Sequence, residues 1–262
     1  MKSTDHPPAL LLAAHGESGG ENAQVWRLAR ALPAFTGLPE IGVGFIKGSP
    51  SIGEAMCGLK AGRVLVYPLF AAQGYFTRDR LVRLLDEAQA SGGHRSVQML
   101  PPLGLDPGLP ALIAEHATAV LHGRGSTPAD VAMMLIAHGS RRNQASRGAT
   151  RELARKIGAL NVFRAIGTAF LEQTPFIGEA FAAMPGPVMA VGVFSGEGLH
   201  GAGDVPRLLA ELGRDDVTLA GNIGSFPELE RLIANAVARA VPEAISAHAA
   251  VPGSVLLFPE QS

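Results

Sequence analysis

The sequence predicts an α/β fold of two similar lobes, each a parallel four-stranded sheet flanked by helices. Three observations predict it. Short apolar runs alternate with longer amphipathic stretches, the pattern of a parallel sheet covered on both faces. The second half repeats the first, so one plan serves twice. The 262 residues include 32 Gly and 19 Pro, with 47% hydrophobic and 17% charged residues. That is a globular composition with many tight turns, not a disordered one.

The repeat is carried by four blocks. Residues 9–18, ALLLAAHGES, lie over residues 132–141, AMMLIAHGSR, which sets His15 opposite His138. GFIKGSPSIGEAM at 44–56 lies over AFLEQTPFIGEAF at 169–181, matching Pro50 with Pro175 and Ile52-Gly53-Glu54 with Ile177-Gly178-Glu179. VLVYPLFAAQGYF at 64–76 lies over VMAVGVFSGEGLH at 188–200, and LGLDPGLPALI at 103–113 over IGSFPELERLI at 223–233.

In the first half, Leu10–Ala14 reads as a strand and Asn22–Leu32 as a helix with its apolar residues on one face. Ile41–Ile46 is a second strand, and Ser51–Leu59 a short helix with Ser49 as its expected cap. Strand Arg63–Leu69, helix Thr77–Gln89 capped by Thr77, strand Val97–Leu100 and helix Pro110–Leu121 follow. HGRGSTPAD at 122–130 is polar and rich in small residues, as a linker should be. The second half gives strand Val131–Ala137, helix Gln144–Ile157, strand Val162–Ala169, helix Pro175–Ala183, strand Val188–Val193, helix Val205–Leu212, strand Val217–Ala220 and helix Glu228–Ala240. The expected division is a first lobe at 1–124, a second at 131–247 and a tail at 248–262, where VLLF could add an edge segment.

Composition narrows the function. A net charge of −1, from 22 basic and 23 acidic residues, argues against a nucleic-acid surface. One cysteine, Cys57, excludes an intrachain disulfide framework and a clustered thiolate zinc site. The apolar stretch Ala9–Ala14 is short for a signal peptide, and no run approaches a membrane span. A cytoplasmic enzyme, monomer or homodimer, is the expectation.

The chemistry gathers around VAMMLIAHGS at 131–140, a buried-strand pattern ending in His-Gly-Ser. In open α/β sheets ligands bind at the carboxyl ends of strands. His138 ends the first strand of the second half, Glu172 ends the second 34 residues on, and His200 lies past the third, 28 residues further. Two imidazoles and a carboxylate at one sheet edge suit a divalent first-row metal, and equally suit proton transfer near neutral pH. In the first half the same positions hold His15, Lys47 and Phe76. A lysine repels a metal and a phenylalanine cannot ligate one, so only the second half carries a complete set. The first half is expected to supply an opposite wall, with Tyr75 and Phe76 facing Leu199 in an apolar slot for a flat ligand. Phe70 and Phe194, at strand ends, are better read as core.

Together LIAHGSR at 135–141, AFLE at 169–172 and GLHGAGDVP at 198–206 resemble the class II tetrapyrrole chelatases, in particular the sirohydrochlorin cobaltochelatase and ferrochelatase group of the cobalamin and sirohaem pathways. The resemblance implies a bilobal fold with a central cleft, and insertion of Co²⁺ or Fe²⁺ into sirohydrochlorin or a close relative without ATP. It sets the family histidine, glutamate and second histidine on His138, Glu172 and His200, as metal ligands and as catalytic groups. No permanently bound cofactor is implied; the metal is a substrate, and the partner is the small-molecule tetrapyrrole. This chain departs from the pattern in NQASR after HGSRR, and in HGES where the first half would carry HGSR.

Sirohydrochlorin carries many carboxylates. Arg141, Arg142 and Lys47 are candidates to bind them, since arginine forms paired bonds with carboxylates. Ser140 and His15 complete the expected lining. Other readings fare worse. A two-lobed small-ligand binding protein needs no such trio. A dinucleotide oxidoreductase should show GxGxxG after its first strand, where HGESGG stands. A serine hydrolase built on Ser140 lacks a GxSxG elbow. A tetrapyrrole- or metal-binding protein without turnover is the main alternative.

Overall fold

The computed structural model describes residues 7–16, 22–72, 79–92, 95–140, 144–196, 203–242 and 254–255. By its contacts the chain divides into two compact units. One comprises Met1–Phe70, Tyr75–Pro102 and Glu230–Ser262, the other Ala71–Gly74 and Leu103–Leu229.

The first unit is built on strands β1 (Ala9–Ala14), β2 (Glu40–Phe45), β3 (Arg63–Pro68) and β4 (Ser96–Met99). They lie in the order β4-β3-β1-β2, all parallel. A two-residue strand β9 (Ser254–Val255) adds to the β2 edge, pairing Ile41 with Val255. Of the tail, Ser254–Val255 supplies an edge segment, so this sheet has five strands; residues 256–258 of VLLF lie outside the described residues. Helices α1 (Ala23–Thr36), α2 (Ile52–Gly58) and α3 (Leu81–Gly92) flank it. The whole of β1 is buried, and Leu11, Ala13, Val64 and Val66 pack with Ile52, Met56, Leu81 and Leu85. Phe70 is 8% exposed inside this cluster, as its strand-end position suggested.

The second unit repeats the plan with β5 (Ala132–Ala137), β6 (Ala165–Phe170), β7 (Val188–Gly192) and β8 (Val217–Asn222). The order β6-β5-β7-β8 matches the first sheet strand for strand. Around it stand α5 (Ala145–Gly158), α6 (Ile177–Ala182) and α7 (Val205–Glu211). Met134, Ile136 and Ala190 pack with Phe181, Val205 and Leu209, and Phe194 packs against the same cluster.

The last helix of each repeat is assigned to the other repeat's unit. Helix α4 (Leu109–His122) belongs to the second unit. There His116 stacks on Phe226 with ring centroids 3.9 Å apart, and its two nitrogens face the Glu228 carboxylate at 3.1 Å and the Ala220 carbonyl at 3.2 Å. Helix α8 (Leu229–Ala240) belongs almost wholly to the first, where Arg27 meets Glu230 at 3.5 Å and Arg63 donates to the Ala240 carbonyl at 3.3 Å.

Local details correct two expectations. The cap of α2 is Ser51, not Ser49. Ser51 accepts from the Glu54 N–H at 3.2 Å, and Glu54 accepts from the Ser51 N–H at 2.7 Å, a reciprocal capping box that holds the Glu54 carboxyl below its usual range. Ser49 precedes a cis proline and stands outside the helix. In α6 the position of Ser51 is Phe176, which has no acceptor, so only half the box survives: Glu179 accepts from the Phe176 N–H at 3.0 Å. Strand β6 begins at Ala165 rather than Val162: after Asn161, whose φ is 54°, the chain still bends at 163 and 164. The expected cap Thr77 lies outside the described residues.

Arg214 ties one end of the second unit together. Its guanidinium donates to the carbonyls of Phe181 (2.8 Å), Met184 (3.0 Å) and Gly186 (2.6 Å), and grips both oxygens of Asp216. Two of these carbonyls lie at or just past the end of α6, where a cation is favoured. Replacing Arg214 with Lys removes the planar fork, and the expected loss is about 2–4 kcal/mol in chemical denaturation. An unchanged denaturation midpoint would mean that water serves these carbonyls equally well. Arg214 also holds the Asp216 carboxyl below its usual range. That contribution is complete above the usual Asp pKa and is lost as pH falls through the lowered value.

Candidate active site

The site is built where β5 and β6 leave their sheet together. The Leu171 N–H donates to the Ala137 carbonyl at 3.1 Å, and the Glu172 N–H to the His138 carbonyl at 3.0 Å. Pairing thus continues one residue beyond β5 and two beyond β6, and brings the two side chains to the same edge. His138 Nδ1 and Glu172 Oε2 are 3.8 Å apart, with the side chains 39% and 54% exposed. That is close enough for charge interaction and too long for a hydrogen bond.

The closer partner of His138 Nδ1 is the Gly139 carbonyl at 3.0 Å. A carbonyl only accepts, so this contact favours the neutral tautomer with its proton on Nδ1 and its lone pair on Nε2. A lone pair on Nε2 is what a metal ligand or a proton acceptor needs, and the second nitrogen's bond fixes the ring. Gly139 takes φ +75° to turn its carbonyl back.

The first unit has the same frame without the carboxylate. His15 Nδ1 faces the Gly16 carbonyl at 2.9 Å, with Gly16 at φ +77°. The Ile46 N–H donates to Ala14 at 2.9 Å and the Lys47 N–H to His15 at 2.7 Å. After each pair comes a cis proline, Pro50 or Pro175, whose carbonyl accepts from Phe45 or Phe170. Backbone and imidazole are copied; Lys47, exposed, stands where Glu172 stands.

Among the expected site residues, the structure thus brings His138 and Glu172 together, with half-buried Ser140 two residues along the chain from His138. His200, Leu199, Arg141, Arg142, Tyr75 and Phe76 lie outside the described residues. Among the described residues no group of three His, Cys, Asp or Glu side chains converges. Two amides were missed in the sequence. Gln173 packs over Gly139, and Asn222 packs over Gly192 at the end of β7. The internal alignment carries a signal for both, since it sets Gln173 opposite Gly48 and Asn222 opposite Pro102.

A family model described as CbiX matches residues 9–120 and again 132–240. The chain belongs to the CbiX family of class II tetrapyrrole chelatases. Both halves match the same model, which is the duplication read from the sequence. A curated relative, the probable sirohydrochlorin cobaltochelatase of Halobacterium salinarum, is 24% identical over 221 residues, 76% of this chain and 75% of that one. Among solved structures, CbiX, described as the terminal enzyme for siroheme biosynthesis in denitrifying bacteria, is 28% identical with a TM-score of 0.70, covering 89% of this chain and 99% of that one. SirB from Bacillus subtilis with Fe³⁺ is 16% identical with a TM-score of 0.76 over 92% and 98% of the two chains, a likeness of fold. Membership in the CbiX family makes this chain a chelatase-type enzyme, one that places a metal ion in a tetrapyrrole. None of its described helices is long and apolar enough to cross a membrane.

Proposed function

We propose that the chain inserts Co²⁺ or Fe²⁺ into sirohydrochlorin or a closely related tetrapyrrole, without ATP, at the carboxyl edge of β5 and β6. The observation that carries this reading is the His138–Glu172 pair, with Nδ1 of His138 facing the Gly139 carbonyl. Two pyrrole N–H protons must leave the macrocycle as the metal enters. Nε2 of His138 takes the first proton or holds the incoming metal. Glu172 lies on the Nδ1 side of the ring, so its part is to orient and charge-balance the imidazole, as a carboxylate does behind a metal-bound histidine. His200 completes the metal approach or accepts the second proton. Arg141, Arg142 and Lys47 bind the peripheral carboxylates, and Ser140, His15, Tyr75, Phe76 and Leu199 line the ring. The names of the curated relative and of the 28%-identical structure, a probable sirohydrochlorin cobaltochelatase and a terminal enzyme of siroheme biosynthesis, support this substrate class.

The deciding experiment is an anaerobic insertion assay on the purified chain, followed by the macrocycle's absorption change. Co²⁺, Fe²⁺, Ni²⁺ and Zn²⁺ are each offered with sirohydrochlorin, its less oxidised precursor and a protoporphyrin. The donor set accepts all four metals, and affinity order alone does not choose among them. Faster insertion of Co²⁺ or Fe²⁺ into sirohydrochlorin than occurs spontaneously is expected. Tight macrocycle binding with no rate above the spontaneous one would make the protein a carrier or sensor instead.

A further inference from the structure

Gln173 follows Glu172 directly and is singled out neither by the strand pattern nor by the words that carry the family resemblance. It is 8% exposed. Its Cγ and Cδ lie 2.8 and 3.2 Å from the point that a Cβ on Gly139 would occupy. Its Nε2 is sealed from solvent and has no hydrogen-bond partner among the described residues. That nitrogen therefore does not hold the side chain in place; packing on the His138–Gly139 turn does. The first repeat solves the same problem differently. There the residue is Gly48, and the space over Gly16 is filled by the Lys47 carbonyl oxygen, 1.7 Å from the corresponding point. The half with the carboxylate thus uses a side chain as the wedge, and the half with Lys47 uses backbone.

We infer that Gln173 is a positioning residue for His138. Its aliphatic stem wedges the turn so that the Gly139 carbonyl stays on Nδ1 and the lone pair of Nε2 stays presented at the sheet edge. The wedge is a matter of volume, so an apolar chain of similar length serves as well. Such a chain also removes a buried donor that has no partner, which favours the folded state. The consequence for catalysis rests on the chelation reading above; the wedge itself rests on packing alone.

The test compares Gln173→Gly, the first-repeat residue, with Gln173→Met. Two readouts are taken: steady-state Co²⁺ insertion, and the ring ¹⁵N shifts of His138 from long-range proton–nitrogen correlation. In wild type and in Gln173→Met the shifts should report a proton held on Nδ1, and Gln173→Met should melt no lower than wild type. In Gln173→Gly the shifts should move toward an average of the two tautomers. Its kcat should fall about tenfold to a hundredfold, as a misplaced catalytic group implies, with the macrocycle KM within about twofold of wild type. Gln173→Ala carries the same measurements should the glycine variant fail to fold. Wild-type nitrogen shifts in the truncated variants would overturn the inference, and so would a Gln173→Met protein as impaired as Gln173→Gly. Should wild type insert no metal, the chelation reading falls, and the nitrogen shifts still decide the wedge.

Discussion

Replacing His138 with Ala should cost about 10²–10⁴-fold in metal insertion, while His15→Ala should cost less than about tenfold. The two histidines have the same backbone frame and the same bond from Nδ1 to the following glycine carbonyl, at 3.0 and 2.9 Å. What differs is the next strand end. His138 has a carboxylate 3.8 Å away, and His15 has Lys47 at the matching place. A carboxylate stabilises the imidazolium that forms when His138 accepts a proton, and it favours a cation on the far nitrogen. A lysine opposes both. The measurement is the initial rate of Co²⁺ insertion at saturating macrocycle, with both variants checked for wild-type melting. Equal losses would mean that the two repeats share the chemistry, or that the working lobe is the other one.

The second large effect is on stability, and it separates the two glycines of the same turn. Gly16→Ala should destabilise the protein by about 2–5 kcal/mol, seen as a melting temperature lower by roughly 5–15 °C. Its φ of +77° is already unfavourable for alanine, and the new Cβ would lie 1.7 Å from the Lys47 carbonyl oxygen. That oxygen belongs to a backbone fixed by the Lys47–His15 hydrogen bond, so it cannot step aside. Gly139→Ala has a similar φ, but its Cβ meets the Gln173 side chain at 2.8 Å and the Phe170 Cβ at 3.1 Å. Gln173 can change rotamer, so less stability is lost. The displaced wedge should instead lower insertion. If both variants melt alike and insert metal alike, neither the backbone clash nor the wedge holds.

Much of the fold is legible in the order of the residues. Strand and helix periods are local properties, so most elements can be placed along the chain. The duplication is written in matched words, so two sheets of one topology follow. The pairing of His138 with Glu172 is legible too, because adjacent parallel strands must deliver their last residues to one edge. The departures are local: Ser51 caps α2 because Glu54 stands three residues on to return its bond, and β6 starts late because the chain bends at 163 and 164.

What the sequence by itself determined was the repeated α/β plan and the identity of the residues at the strand ends, His138 and Glu172 in one half against His15 and Lys47 in the other. Only the tertiary structure decided which unit each terminal helix joins, since an amphipathic face states that it will be buried and not against what. His116 on Phe226 and Arg27 on Glu230 are contacts between residues more than a hundred positions apart. The structure likewise decided that Ser254–Val255 pairs with the start of β2, at Glu40 and Ile41. It decided the surroundings of the imidazole as well: Nδ1 of His138 faces the carbonyl of a glycine at φ +75°, and the Gln173 side chain lies against that glycine.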